Sequence, residues 1–205
     1  MAQSHTESLN KHTPLEYSTE DGRLKIFGFW VFLGAEIVLF SCLFASYMVY
    51  LHRTAGGPTP DDLFEVKEFM IETILLLASS FTCGLGTHEL RRQNKSGVIL
   101  WFIITLLLGL GFIGMEINEF VSYVGEGAKM STSAFLSAFF TLVGTHGAHV
   151  SLGILWMIGI LIQTARVGLN GVTARKLFVV GLYWHFLDVV WVFIFTVVYL
   201  TGMVL

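Results

Sequence analysis

Charge is what this chain has least of. Only 13% of its 205 residues are charged, against about 25% in soluble domains. Hydrophobic residues make up 54% and the mean hydropathy is +0.71. That balance excludes an ordinary soluble domain and turns most of the surface toward lipid, so the net charge of −3 says little about partners. No basic run with interleaved aromatics is present, which argues against nucleic-acid binding. Cysteine is scarce too. Cys42 and Cys83 both fall in apolar runs and form no CxxC, so neither a disulfide framework nor a copper pair is expected, and both read as small apolar side chains. There is no nucleophile with a partnered base and no phosphate loop. "GLGFIG" at 109–114 matches GxGxxG in form only, because it lies inside an apolar run with no strand before it. Its glycines, with Gly84, Gly86, Gly144, Gly147 and Gly153, read as places where helices approach closely.

The start of the chain lacks the basic-then-apolar order of a secretory signal. Residues 1–25 are polar and carry Glu7, Glu16, Glu20 and Asp21. They are expected to form a soluble, partly disordered cytoplasmic tail.

What is present is five long apolar runs, at about 26–51, 69–89, 97–117, 133–163 and 177–204. About 20 apolar residues cross the hydrocarbon as a helix, so residues 26–205 are expected to form one all-α, multi-pass transmembrane bundle. The fourth run is too long for an upright span and should tilt or project. No repeat is visible. The longest linker, after the first run, holds Gly56, Gly57, Pro58 and Pro60, so the first span could stand apart from the other four. Lys11, Arg23, Lys25, Arg91, Arg92, Lys95, Arg166, Arg175 and Lys176 fall on one side of the membrane, and Arg53, Lys67 and Lys129 on the other. The richer side is expected to be cytoplasmic, with the N-terminus inside and Leu205 outside.

A few polar groups sit inside these runs. Glu36 lies about 15 Å into the first span, and His185 and Asp188 lie about 12–17 Å into the fifth from the same side. His146 and His149, in "GTHGAHV", fall near the same depth if the fourth span tilts. Glu36, His149, His185 and Asp188 could therefore meet in one buried layer, each satisfying another across helices. A carboxyl at such depth needs either a proton or a partner, and Glu36 is expected to have one of the two. Other readings stay open. The histidines with Asp188 could hold zinc, although the spacing is loose for it. Histidines on facing helices could bind a b-type haem, with His88 placed at the interface instead. Glu36 could serve a proton relay. On the outer side, Glu116 and Glu119 in "MEINEF" either make contacts to a neighbouring loop or sit on a solvated helix end. Glu72, Glu65, Glu68, Asp61, Asp62 and Glu126 complete an acidic outer rim.

Five blocks, "FGFWVFLGAEIVLFSCLFASY", "IETILLLASS", "GFIGMEINEF", "GTHGAHV" and "WHFLDVVW", resemble the subunit III family of haem-copper terminal oxidases over residues 25–205. "TAGGPT", the five-span length and the ending "FTVVYLTGM" look most like the bacterial quinol oxidase branch. The alternative is the cytochrome c oxidase branch, usually of seven spans, and more remotely a stand-alone haem carrier or a small proton-coupled transporter. The resemblance implies a bundle split by a lipid-filled V-shaped cleft, two helices on one side. It puts the family's membrane carboxylate on Glu36, its histidine pair on His146 and His149, and its HxxD on His185 and Asp188. It also implies an accessory chain without a redox centre in a bacterial plasma membrane. Haem and copper would lie in subunit I, on which this chain would pack beside subunits II and IV. Such a chain would bind phospholipid and sustain proton uptake while the complex oxidises quinol and reduces oxygen to water.

Overall fold

The computed structural model describes residues 14–18, 20–56, 66–125 and 127–200, apart from the side chains of Val66 and Glu68. Lys11, Gly57, Pro58, Pro60, Asp61, Asp62, Glu65 and Glu126 lie outside the described residues. Among those described there is no strand. A 3₁₀ turn at Leu15–Tyr17 precedes five long helices: α1 Glu20–Tyr50, α2 Val66–Arg91, α3 Lys95–Gly125, α4 Ala134–Val167 and α5 Gly171–Ile194, the last continuing as a π-helical turn over Phe195–Leu200. All five are long and apolar enough to cross a membrane.

The helices outrun the apolar stretches, because polar residues at a membrane surface can continue a helix whose backbone is already bonded. α4 has 34 residues, about 51 Å at 1.5 Å per residue and longer than a hydrocarbon core of about 30 Å. Local signals set the ends. Ser133 caps α4 by accepting from Leu136 N at 3.1 Å. Gly168, at φ +85°, takes the left-handed conformation that ends α4. Two residues later Asn170 opens α5 with a capping box closed by Thr173. This tight turn forces α4 and α5 to run antiparallel.

α2 and α3 make the most extensive pairing, and α5 packs against α1, α2 and α4. α5 is the most buried helix and α1 the least. α1 does not stand apart: it lies on α4 and α5, with Phe29 edge-on to Trp156 and Phe40 edge-on to Phe186. A long linker sets only how far a helix can reach; apolar side chains and one polar pair decide where it rests.

The part of the expected tail that is described is not free. Glu16 is 1% exposed, Tyr17 packs edge-on against Phe178, and α1 begins at Glu20. The basic end of the bundle is tied together by Lys95 Nζ donating to Ala165 O at 2.9 Å and Lys176 Nζ donating to Gln163 Oε1 at 2.8 Å. At the opposite end Phe135 N donates to Arg53 O.

Candidate functional site

The polar residues inside the spans form two groups rather than one layer. In the first, α1 carries Glu36 and α4 carries His149, and His149 Nε2 lies 3.2 Å from Glu36 Oε2. The other ring nitrogen, Nδ1, lies 2.7 Å from Thr145 O, four residues back on α4. A carbonyl only accepts, so Nδ1 carries the hydrogen. The contact between Nε2 and Oε2 then holds one further proton. Either the Glu36 carboxyl donates it to the ring, or an imidazolium donates it to the carboxylate. Phe40 covers the pair, its ring 5.2 Å from that of His149, and Tyr183 Oη donates to the His149 carbonyl at 3.2 Å.

The second group joins α2 and α5. His185 Nδ1 lies 2.8 Å from Ser80 Oγ, and the same hydroxyl faces the Asp188 carboxyl. Trp184 Nε1 donates to Ser79 Oγ at 3.0 Å, and Trp191 Nε1 to Thr73 Oγ1 at 3.1 Å. The bonds of Glu36 and His149 therefore run to α1 and α4, and those of His185 and Asp188 to α2. Helical spacing explains the split: His185 and Asp188, three apart, share the face of α5 turned to α2, while α1 and α4 pack on other sides of α5.

His146 belongs to neither group. It is fully buried, and its Nε2–H donates to Leu187 O at 3.1 Å, with Phe112 and Trp191 packed on the ring. Among the described residues no three His, Cys, Asp or Glu side chains converge as a metal site. His88 is exposed near the end of α2, as the sequence places it.

Glu116 and Glu119 are not on a solvated helix end. They are 4% and 3% exposed, and Glu72 is fully buried. α3 runs on to Gly125, so both lie within the helix and face neighbours. Glu119 accepts from Tyr123 Oη, and from Tyr199 Oη at 3.4 Å. The Glu116 carboxyl lies over Gly147, where an added Cβ would come within 2.5 Å of both its oxygens. Gly86 and Gly109 leave room in the same way for Phe102 and Trp184, whereas Gly84 and Gly114 face open space.

Sequence reasoning passed over Ser80, Ser79 and Tyr183. The only signal for the serines was a pair of small polar residues closing the apolar run "IETILLLASS"; nothing in the sequence aligned them with His185 and Trp184.

The chain matches the family described as cytochrome c oxidase subunit III over residues 10–203. It is 63% identical to "Quinol oxidase subunit 3" of Bacillus spizizenii over 199 residues, 97% of this chain and 98% of the other, and equally to that of Bacillus subtilis. It is 52% identical to "Cytochrome c oxidase subunit 3" of Bacillus sp. (strain PS3), covering 93% of this chain and 92% of that one. A five-helix membrane bundle with those motifs in those places, matched over nearly its whole length, belongs to the cytochrome c oxidase subunit III family, the third subunits of haem-copper oxidases.

Proposed function

We propose that the chain is the accessory subunit III of a proton-pumping quinol oxidase in a bacterial plasma membrane. The observation that carries the quinol assignment is the 63% identity to two proteins named quinol oxidase subunit 3, along almost the full length of each chain. In this reading the chain holds no redox centre. Haem and copper lie in subunit I, on which it packs together with subunits II and IV. It steadies the complex and helps sustain proton uptake. The Glu36–His149 pair supports that role, because the pair holds one exchangeable proton between α1 and α4. His146, His185 and Asp188 serve mainly to fix the helices against one another.

Phospholipid binding belongs to the same reading. Between α1 and α5 lies an apolar groove of about 240 Å³, walled by Phe40, Phe44, Phe186 and Phe193. Its size and lining suit an acyl chain. The basic residues gathered at the Arg91 end support a cytoplasmic position for that end and for the N-terminus.

The test is to purify the native complex by an affinity tag on this chain. Co-purification of a haem-bearing chain, with oxygen uptake driven by a reduced quinol, is the expected result. Oxygen uptake driven by reduced cytochrome c and not by quinol would favour the second reading, a cytochrome c oxidase subunit III, which the 52% identical relative supports.

A further inference from the structure

The seam between α2 and α5 is built like an interface whose other half is elsewhere. Ser80 lies eleven residues from Arg91, the end of α2, or about 16 Å along the helix and near the middle of a hydrocarbon core of about 30 Å. At that depth the seam carries His185, Asp188 and Ser80, all partly exposed on the outside of the chain. The hydrogen-bonding count leaves a remainder. Ser80 has one hydrogen to give. Whichever of Ser80 Oγ and His185 Nδ1 gives the hydrogen across their 2.8 Å contact, the other ring nitrogen, Nε2, is left as an acceptor or a donor with its own bond to make. Nε2 bonds no described residue; Oδ1 of Asp188 also lacks a hydrogen-bond partner, but it is buried inside this chain. Acyl chains donate nothing, and a polar group left bare in hydrocarbon is costly. Beside His185 opens a cavity of about 230 Å³, floored by Gly84 and Gly181 and closed at the basic end by Thr87, His88 and Arg91. It has room for one large side chain.

We infer that this face receives a transmembrane helix from another chain of the complex. That helix presents a polar side chain to His185 Nε2 at mid-membrane, and a bulky side chain to the cavity beside Gly84. That side chain is an amide or a hydroxyl, because either can donate to a bare Nε2 or accept from a protonated one. A lipid tail fills the cavity equally well but leaves His185 Nε2 without a partner, which is why a protein helix is the assigned occupant. The inference rests on the reading of this chain as one subunit of a larger oxidase. It adds which face meets a partner and by what chemistry.

The experiment uses the intact complex in native membranes, with a photoreactive benzophenone side chain placed at Leu182 or Leu77 on the seam, or at Leu107 or Leu155 on the outer faces of α3 and α4. All four replace apolar side chains that lie at least partly exposed. Illumination should join this chain to another polypeptide of the complex from Leu182 and Leu77, at several times the yield from Leu107 and Leu155. His185→Leu should lower both that yield and the retention of this chain through detergent washes severalfold, with the helix content of the variant unchanged. Lipid adducts alone from Leu182 and Leu77, in a complex that still purifies with its haem-bearing chain, would overturn the inference and leave the subunit assignment standing. So would a His185→Leu variant that cross-links and is retained as the parent chain is.

Discussion

His149 Nε2 lies 3.2 Å from Glu36 Oε2, and this side-chain bond ties α1 to α4. Glu36→Gln keeps a donor and an acceptor at the contact but removes the carboxyl that can trade a proton. Its thermal transition in detergent should stay near that of the parent complex, while oxygen consumption declines over successive turnovers. Glu36→Leu should also cost stability, by about 0.6–1.7 kcal/mol for a lost interhelical bond in a membrane. Undiminished consumption by the Gln variant over many turnovers would remove Glu36 from proton handling.

Gly109 and Gly114 lie in the same apolar run and should respond in opposite ways. A Cβ at Gly109 would come within 2.7 Å of the Trp184 ring, whereas one at Gly114 meets nothing within 4 Å. Trp184 cannot swing away freely, because it is 1% exposed and bonded to Ser79. Gly109→Ala should therefore destabilise the complex by about 1–3 kcal/mol through overpacking. Gly114→Ala should be neutral or stabilise by up to about 1 kcal/mol through helix propensity. Thermal unfolding of the two variants side by side checks this, and equal losses would show that the glycines matter for some reason other than close approach.

These cases show how far the sequence could be read. Five helices were legible because crossing hydrocarbon demands about twenty apolar residues each, and the polar exceptions stood out for the same reason. Matched depth allowed Glu36 and His149 to meet, though only as two of four residues in one layer. The split of His185 and Asp188 away from that pair was not legible, since depth says nothing about which side of a helix a residue takes. The place of α1 was misread because the linker was weighed and the aromatic faces of α1, α4 and α5 were not. The burial of Glu116 and Glu119 escaped because α3 continues beyond its apolar stretch. An apolar run marks what meets lipid, not where the helix stops.

Tyr123 and Tyr199 reach Glu119 from different elements, α3 itself and the π-helical end of α5. The Tyr123 contact is the closer, and that of Tyr199, at 3.4 Å, is near the limit for a hydrogen bond. Tyr123→Phe should thus lower the thermal transition more than Tyr199→Phe, which should cost less than about 1 kcal/mol. The double variant should fall short of the sum, because both hydroxyls serve one carboxylate. Strict additivity in a double-mutant cycle would mean that the two tyrosines act independently of Glu119.

The segment before α1 should depend on two residues for its place. Glu16 is buried, 3.9 Å from Arg91 Nε, and Tyr17 packs edge-on against Phe178 at 5.7 Å. Arg91 is largely exposed, so the ion pair alone is weak and screened by salt. The aromatic contact should carry more of the anchoring. Tyr17→Ala should therefore speed tryptic cleavage at Arg23 and Lys25 more than Glu16→Gln does. Raised salt should speed cleavage of the Tyr17→Ala chain further, because the ion pair and the packing of Leu15 then hold the segment and salt weakens the pair. Cleavage rates that ignore Tyr17 and follow Glu16 would reverse this ranking and make the buried carboxylate the anchor.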